Sequence, residues 1–143
     1  AGLAQGQIAG YCVAEPFGAK AIALGKGHIL AKAEELWPDS LCCALVFNGD
    51  FVDKHPELAW QATAKYLYAG EYLTQHQEEQ PRIALLYLKA KAKVVEMSLK
   101  FIRYDDLRIT PEAYGELTQR MVTAGLIEKI PAYEDFVDSS LLP

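Results

Sequence analysis

Cysteine is scarce in this chain of 143 residues, with only Cys12, Cys42 and Cys43 present. Three thiols are too few for a disulfide scaffold and lack the spacing of a zinc site. Their apolar surroundings predict small buried hydrophobes, with the adjacent Cys42 and Cys43 pointing to opposite faces of a strand. A bridge from Cys12 to Cys42 or Cys43 stays open. No apolar run approaches the roughly 20 residues of a membrane span, and no charged segment followed by an apolar one opens the chain. The net charge is −5, and no Lys/Arg cluster with interleaved aromatics occurs. Nucleic acid and anionic membrane surfaces are therefore not expected partners.

Catalytic motifs are lacking as well. There is no Gly-x-Ser-x-Gly, no phosphate-binding Gly-x-x-x-x-Gly-Lys-Ser/Thr and no His-Glu-x-x-His. His28, His55 and His76 lie far apart and read as surface or capping residues, so no metal site is expected. The acid pairs Asp105-Asp106 and Glu34-Glu35 read as solvated turns rather than acid–base or calcium sites. The residues thus point to no catalytic group, no metal and no cofactor, and to a protein that is not an enzyme.

What the chain does have is a hydrophobic content of 51%, enough to build the core of one globular unit, or part of one. Residues 7–25 read as a buried strand running into a helix, with Glu15-Pro16 at the junction. Ile8, Tyr11 and Val13 would enter a sheet, and Pro16 would preset the helical φ while giving up an N–H that a helix start leaves unpaired. Free amides from Phe17 onward would favour an anion or the polar edge of a ligand. Ligands of open α/β sheets also bind at the carboxyl ends of strands. Glu15, beside Tyr11 and Phe17, is placed to aim its carboxylate into such a pocket. An acid at a helix start is equally favourable with no ligand at all.

Further along, Gly25-Lys26-Gly27 stops the helix, and a short strand is expected over His28–Ala31. Trp37 to Ser40 form a turn. The continuous apolar run Leu41–Phe47, bounded by Asn48-Gly49, predicts a fully buried strand. After a helical turn at Asp50–His55, the longest helix runs over about 56–77. Its expected buried stripe is Ala59, Ala62, Tyr66, Ala69 and Leu73, with Glu57, Lys65 and Glu71 off it. Pro81 breaks it, and helical segments follow at 83–88 and through Val94, Val95, Met97, Leu99 and Phe101. Thr110-Pro111-Glu112 combines a capping hydroxyl, a first-turn Pro and a first-turn acid. The helix it opens would bury Tyr114, Leu117, Met121 and Ala124 and end at Gly125. A short terminal helix would lean on the body through Tyr133, Phe136 and Val137. A strand-bearing first third followed by helices fits an α/β lobe wrapped in helices.

Several segments together resemble one family. They are residues 6–17 (Gly-Gln-Ile-Ala-Gly-Tyr-Cys-Val-Ala-Glu-Pro-Phe), 25–30 (Gly-Lys-Gly-His-Ile-Leu), 36–38 (Leu-Trp-Pro) and 51–58 (Phe-Val-Asp-Lys-His-Pro-Glu-Leu). Residues 102–111 (Ile-Arg-Tyr-Asp-Asp-Leu-Arg-Ile-Thr-Pro) and 133–138 (Tyr-Glu-Asp-Phe-Val-Asp) complete the set. Their order and spacing resemble the substrate-binding proteins of ABC importers for nitrate, bicarbonate and sulfonates such as taurine. The resemblance implies an α/β fold of the periplasmic-binding-protein type II kind, with two lobes and a solute trapped between them. It implies a C-terminal fragment: residues 1–40 would end the second lobe and carry the cleft motif, and 41–143 would supply the return crossover strand and the closing helices of the first lobe. The absence of an initiating Met fits a missing N-terminal lobe of the same protein.

The same resemblance carries ligand binding onto Gly10, Tyr11, Glu15, Pro16 and Phe17. It implies a small-molecule solute and an ABC permease as partners, no chemistry, and a periplasmic or extracellular, membrane-anchored location with the signal peptide outside this chain. A bare anion would prefer the helix-start amides and dislike Glu15, whereas a zwitterion such as an aminosulfonate, or a metal-paired bicarbonate, could use that carboxylate. The family leans towards small anions. Two other readings stay in view. One is a two-lobed pyrimidine-synthesising enzyme, whose cysteine-rich motif is only faintly echoed by Cys42-Cys43. The other is a sensor domain of the same fold.

Overall fold

A helix closes its backbone hydrogen bonds within itself, whereas a strand needs a neighbour, and the regular structure of this chain is all of the first kind. The computed structural model describes all residues 1–143. Its helices are α1 (Phe17–Ala23), α2 (Ala33–Leu36), α3 (Gly49–Lys54), α4 (Pro56–Gln75), α5 (Gln80–Tyr87), α6 (Ala92–Ser98), α7 (Pro111–Thr123) and α8 (Tyr133–Phe136), with short 3₁₀ turns between some of them and no strand. This overturns the expected α/β architecture of the periplasmic-binding-protein type II kind. Residues 8–13, 28–31 and 41–47 have the composition of strands, but no backbone hydrogen bond ties any of them to another segment. Without that ladder an apolar run stays irregular, and Ile8, Tyr11, Val13, Leu45 and Val46 are exposed.

The cysteines follow the segments that carry them. Cys12, Cys42 and Cys43 are all exposed with free thiols, so the buried role expected for them is corrected. Nor do the adjacent pair point apart, since their sulfurs lie 3.7 Å from each other.

The chain divides into two units. The first comprises Ala1–Lys32 with Tyr72–Asp105, and the second Ala33–Glu71 with Asp106–Pro143. In the first, α6 packs against α1 and α5, and Ala19, Val94, Val95 and Ser98 are buried. The buried Ser98 hydroxyl donates to the Val94 carbonyl at 2.9 Å, so it enters the core with its polar group satisfied. Within this unit the turn from Tyr72 to Gln80 is held by side chains. Tyr72 donates to Glu79 at 2.7 Å and stacks on His76 at 4.2 Å, and Gln80 donates to the Leu73 carbonyl at 2.8 Å. The Tyr72 hydroxyl, and then the Arg82 guanidinium, hold the Glu79 carboxyl below its usual range.

In the second unit the expected start of α7 is present: the Thr110 side chain accepts from the Ala113 amide at 3.2 Å, with Pro111 first in the helix. Tyr114 is 4% exposed. Its hydroxyl donates to the Pro131 carbonyl at 3.1 Å, and its ring meets Tyr133 edge-on at 5.7 Å and Phe136 at 5.2 Å. Tyr133 in turn donates to the Ile109 carbonyl at 2.6 Å. The guanidinium of Arg120 lies over the Trp37 ring, 4.6 Å from its centroid, and pairs with Glu116 at 2.7 Å. Along α4 the buried stripe is Ala59, Thr63, Leu67 and Gly70, not the expected set. Ala59 is common to both, but Ala62, Tyr66 and Ala69 are exposed. Apolar residues occur on more than one side of this helix, and the face of small residues around Leu67 is the one buried.

Candidate functional site

The turn from Gly10 to Phe17 is closed by its own side chains. The Tyr11 hydroxyl donates to the Phe17 carbonyl at 3.1 Å, spanning six residues. Glu15 folds back over the helix start, where its Oε2 accepts from the Ala19 amide at 3.1 Å. A Cβ on Gly18 would lie 2.7 Å from Glu15 Oε1, so glycine there makes room for the carboxylate. The Glu15–Pro16 peptide is cis. Pro16 stands just before the helix at φ −92° and ψ 15°, and Phe17 is its first residue, a shift of one position from the sequence reading.

The amides expected to be free are largely engaged. Phe17 donates to the Ala14 carbonyl at 3.2 Å and Lys20 to the Pro16 carbonyl at 3.0 Å, while Ala19 is taken by Glu15. The positive end of α1 therefore already has an internal carboxylate, which is the favourable charge for that position.

Beside this turn the first unit forms a partly open cavity of about 200 Å³. Glu15 and Pro16 form part of its wall, with Ala84, Leu88, Val95, Ser98, Leu99, Ile102 and Tyr104 supplying the rest. Gly10, Tyr11 and Phe17 do not line it, and the Phe17 side chain is exposed. Burial pushes the Tyr104 phenol up, which keeps it a neutral hydrogen-bonding group at ordinary pH. The lining is thus mostly hydrocarbon with one carboxylate, one phenol and the Ser98 hydroxyl, which is bonded to Val94, and without a lysine or arginine. Such walls suit a small organic body with few polar groups.

The sequence reading missed the wall contributed by residues 84–104. Val95, Ser98, Leu99 and Ile102 follow helical spacing and could be read as one face, yet nothing in the sequence joins that face to Glu15. A larger concavity of about 540 Å³ is bounded only by Glu116, Gln119, Arg120, Thr123 and Ala124, all on or just after α7. One helix surface cannot surround a ligand. No group of three or more His, Cys, Asp or Glu is arranged to hold a metal ion.

The sequence model of the NMT1-like family matches residues 1–87, more than half of the chain and all of the turn just described. The chain belongs to the NMT1-like family. This is the family of nitrate, sulfonate and bicarbonate substrate-binding proteins of ABC importers. Membership supports a solute-binding role of that type, in a family whose members generally bind rather than catalyse, work with a membrane permease and are typically extracytoplasmic. The NMT1-like match takes in Glu15, Pro16 and Ala84 of the cavity wall, while Leu88 and the residues beyond it lie outside the matched segment. No curated protein and no solved structure matches the chain. No helix is long and apolar enough to cross a membrane.

Proposed function

We propose that this chain captures a small organic solute of the sulfonate type for an ABC permease outside the cytoplasm, with Glu15 and Pro16 facing the solute and Gly10, Tyr11 and Phe17 shaping the turn that presents them. The observation that carries this reading is the family match across residues 1–87, which covers the turn. The cavity against Glu15 and Pro16 supports it by giving the turn a concave neighbour of about 200 Å³.

Among the solutes that the family takes, a zwitterion suits these residues better than a bare inorganic anion. A carboxylate in the wall with no cation beside it repels a naked anion, and the Phe17, Ala19 and Lys20 amides that might have compensated are engaged within the turn. An aminosulfonate offers its ammonium to Glu15 and its carbon chain to Leu88, Leu99 and Ile102. Its charged end away from Glu15 stays towards solvent.

Titration calorimetry of the chain and its Glu15→Gln variant, with taurine and with nitrate, tests the reading. Glutamine keeps an oxygen for the Ala19 amide but loses the charge, so affinity for taurine should fall about tenfold or more, the worth of one charge-assisted hydrogen bond. Nitrate should bind more weakly than taurine to the parent chain. Unchanged taurine affinity in the variant, together with a lowered melting temperature, would show Glu15 to be a helix cap and nothing else.

A further inference from the structure

We propose that Cys42 and Cys43 form a paired-thiol site that is oxidised by disulfide-carrying compounds to a bond between the two neighbours. The proposal is independent of the solute reading. Its first support is geometric: the two sulfurs lie 3.7 Å apart. Both thiols are exposed, so a reagent reaches either one.

The second support is the freedom of the backbone. Neighbouring Cα atoms across a trans peptide are about 3.8 Å apart, shorter than the usual disulfide span of about 4.4–6.8 Å. Closure therefore strains the ring through its peptide and side-chain torsions, because the covalent link fixes the Cα separation whatever the backbone does. Residues 41–47 belong to no helix or strand and have no backbone hydrogen bond to another segment. Nothing in a ladder has to break for the peptide to turn. The family is typically extracytoplasmic, and in such compartments disulfides form and persist.

The exchange balances as two thiol–disulfide steps. One thiolate of the pair attacks a sulfur of the low-molecular-mass disulfide RSSR, forming a protein–SR bond and releasing RS⁻, which takes up the proton lost from that cysteine. The second cysteine then gives its proton to water and attacks the protein-bound sulfur, forming the Cys42–Cys43 bond and expelling a second RS⁻, which is protonated in turn. The pair loses two electrons and two protons, and RSSR becomes two RSH.

The whole chain offers Cys12 as an internal single-thiol reference. After incubation with oxidised glutathione, thiol titration and peptide mapping should find the Cys42–Cys43 bond within one chain and Cys12 without a protein partner. In Cys43→Ser the reaction should stop at a glutathione adduct on Cys42. A trivalent arsenical such as phenylarsine oxide, which clips onto two thiols at once, should be held about a hundredfold more tightly by the parent and by Cys12→Ser than by Cys42→Ser or Cys43→Ser, the advantage of two-point attachment. Glutathione adducts that persist on both cysteines without closure would overturn the proposal, as would a bridge involving Cys12 or a second chain. Equal arsenical retention by all four proteins would do the same.

Discussion

Residues 41–47 and α7 belong to the same unit and both carry apolar side chains, yet Val46 is 80% exposed and Tyr114 only 4%. The difference lies in the backbone. In α7 the amides and carbonyls bond within the helix, and Thr110 supplies an acceptor at its start, so Tyr114 and Thr118 are buried without leaving main-chain groups unpaired, while Leu117 and Met121 are half-buried and Ala124 is exposed. In 41–47 no backbone bond to another segment is made, and burying the run would strand several polar groups at about 1–3 kcal/mol each. Composition alone therefore did not decide burial; local hydrogen-bond closure did.

The largest effect should come from dismantling the buried side of that comparison. Tyr114→Ala removes a ring packed on Tyr133 and Phe136 and should cost about 3–5 kcal/mol, the range for deleting a buried aromatic. Tyr114→Phe removes only the hydrogen bond to Pro131, worth about 1 kcal/mol. Urea unfolding of the two variants checks both values. Near-equal midpoints would mean that the ring contacts contribute little and that the contrast with 41–47 has been misread.

The helix-borne core of the other unit gives the next step down. Val95 is 1% exposed in α6, and Val95→Ala deletes two methyl-sized groups at about 0.8 kcal/mol each with some cavity cost, about 2 kcal/mol in all. The same urea titration measures it. A loss below about 0.5 kcal/mol would restrict the rule drawn from α7 to its own unit.

What the sequence made legible follows the same division. Thr110-Pro111-Glu112 announced α7 because a cap is a contact over three residues, and Tyr114, Tyr133 and Phe136 were all named as packing residues. Their hydrogen bonds were not, since Ile109 and Pro131 accept through backbone carbonyls that look alike in every residue. Leu41–Phe47 was misread because strand formation depends on a neighbour that the run itself does not specify. The stripe of α4 was misread because apolar residues on several sides allow more than one periodic choice. At the candidate site the helix start just after Glu15-Pro16 was legible from local chemistry, whereas the strand expected before it and the free amides expected at it were not there. The wall from Ala84 to Tyr104 was not legible, because contacts across that separation leave no mark in the local pattern.

The cap of α7 is a smaller lever on the comparison. Thr110→Ala leaves the Ala113 amide without its 3.2 Å partner and should cost about 1 kcal/mol. Thr110→Asp should restore most of it, since aspartate accepts at the same position and suits the positive helix end. Thermal unfolding of the two variants checks this. If alanine and aspartate melt alike, the helix start depends on Pro111 and packing instead of the hydroxyl.

The smallest effect is expected where the comparison can be broken most directly. Val46→Asp puts a charge on a side chain that is 80% exposed in a segment with no backbone bond to another, so stability should change by no more than about 0.5 kcal/mol. Buried as a strand centre, the same substitution would place an unpaired carboxylate in hydrocarbon and cost several kcal/mol. Equilibrium unfolding of this variant beside Tyr114→Ala therefore separates the two states of residues 41–47 by a wide margin. A loss as large as that of Tyr114→Ala would mean that the run is covered in solution, and that apolar content governs burial here after all.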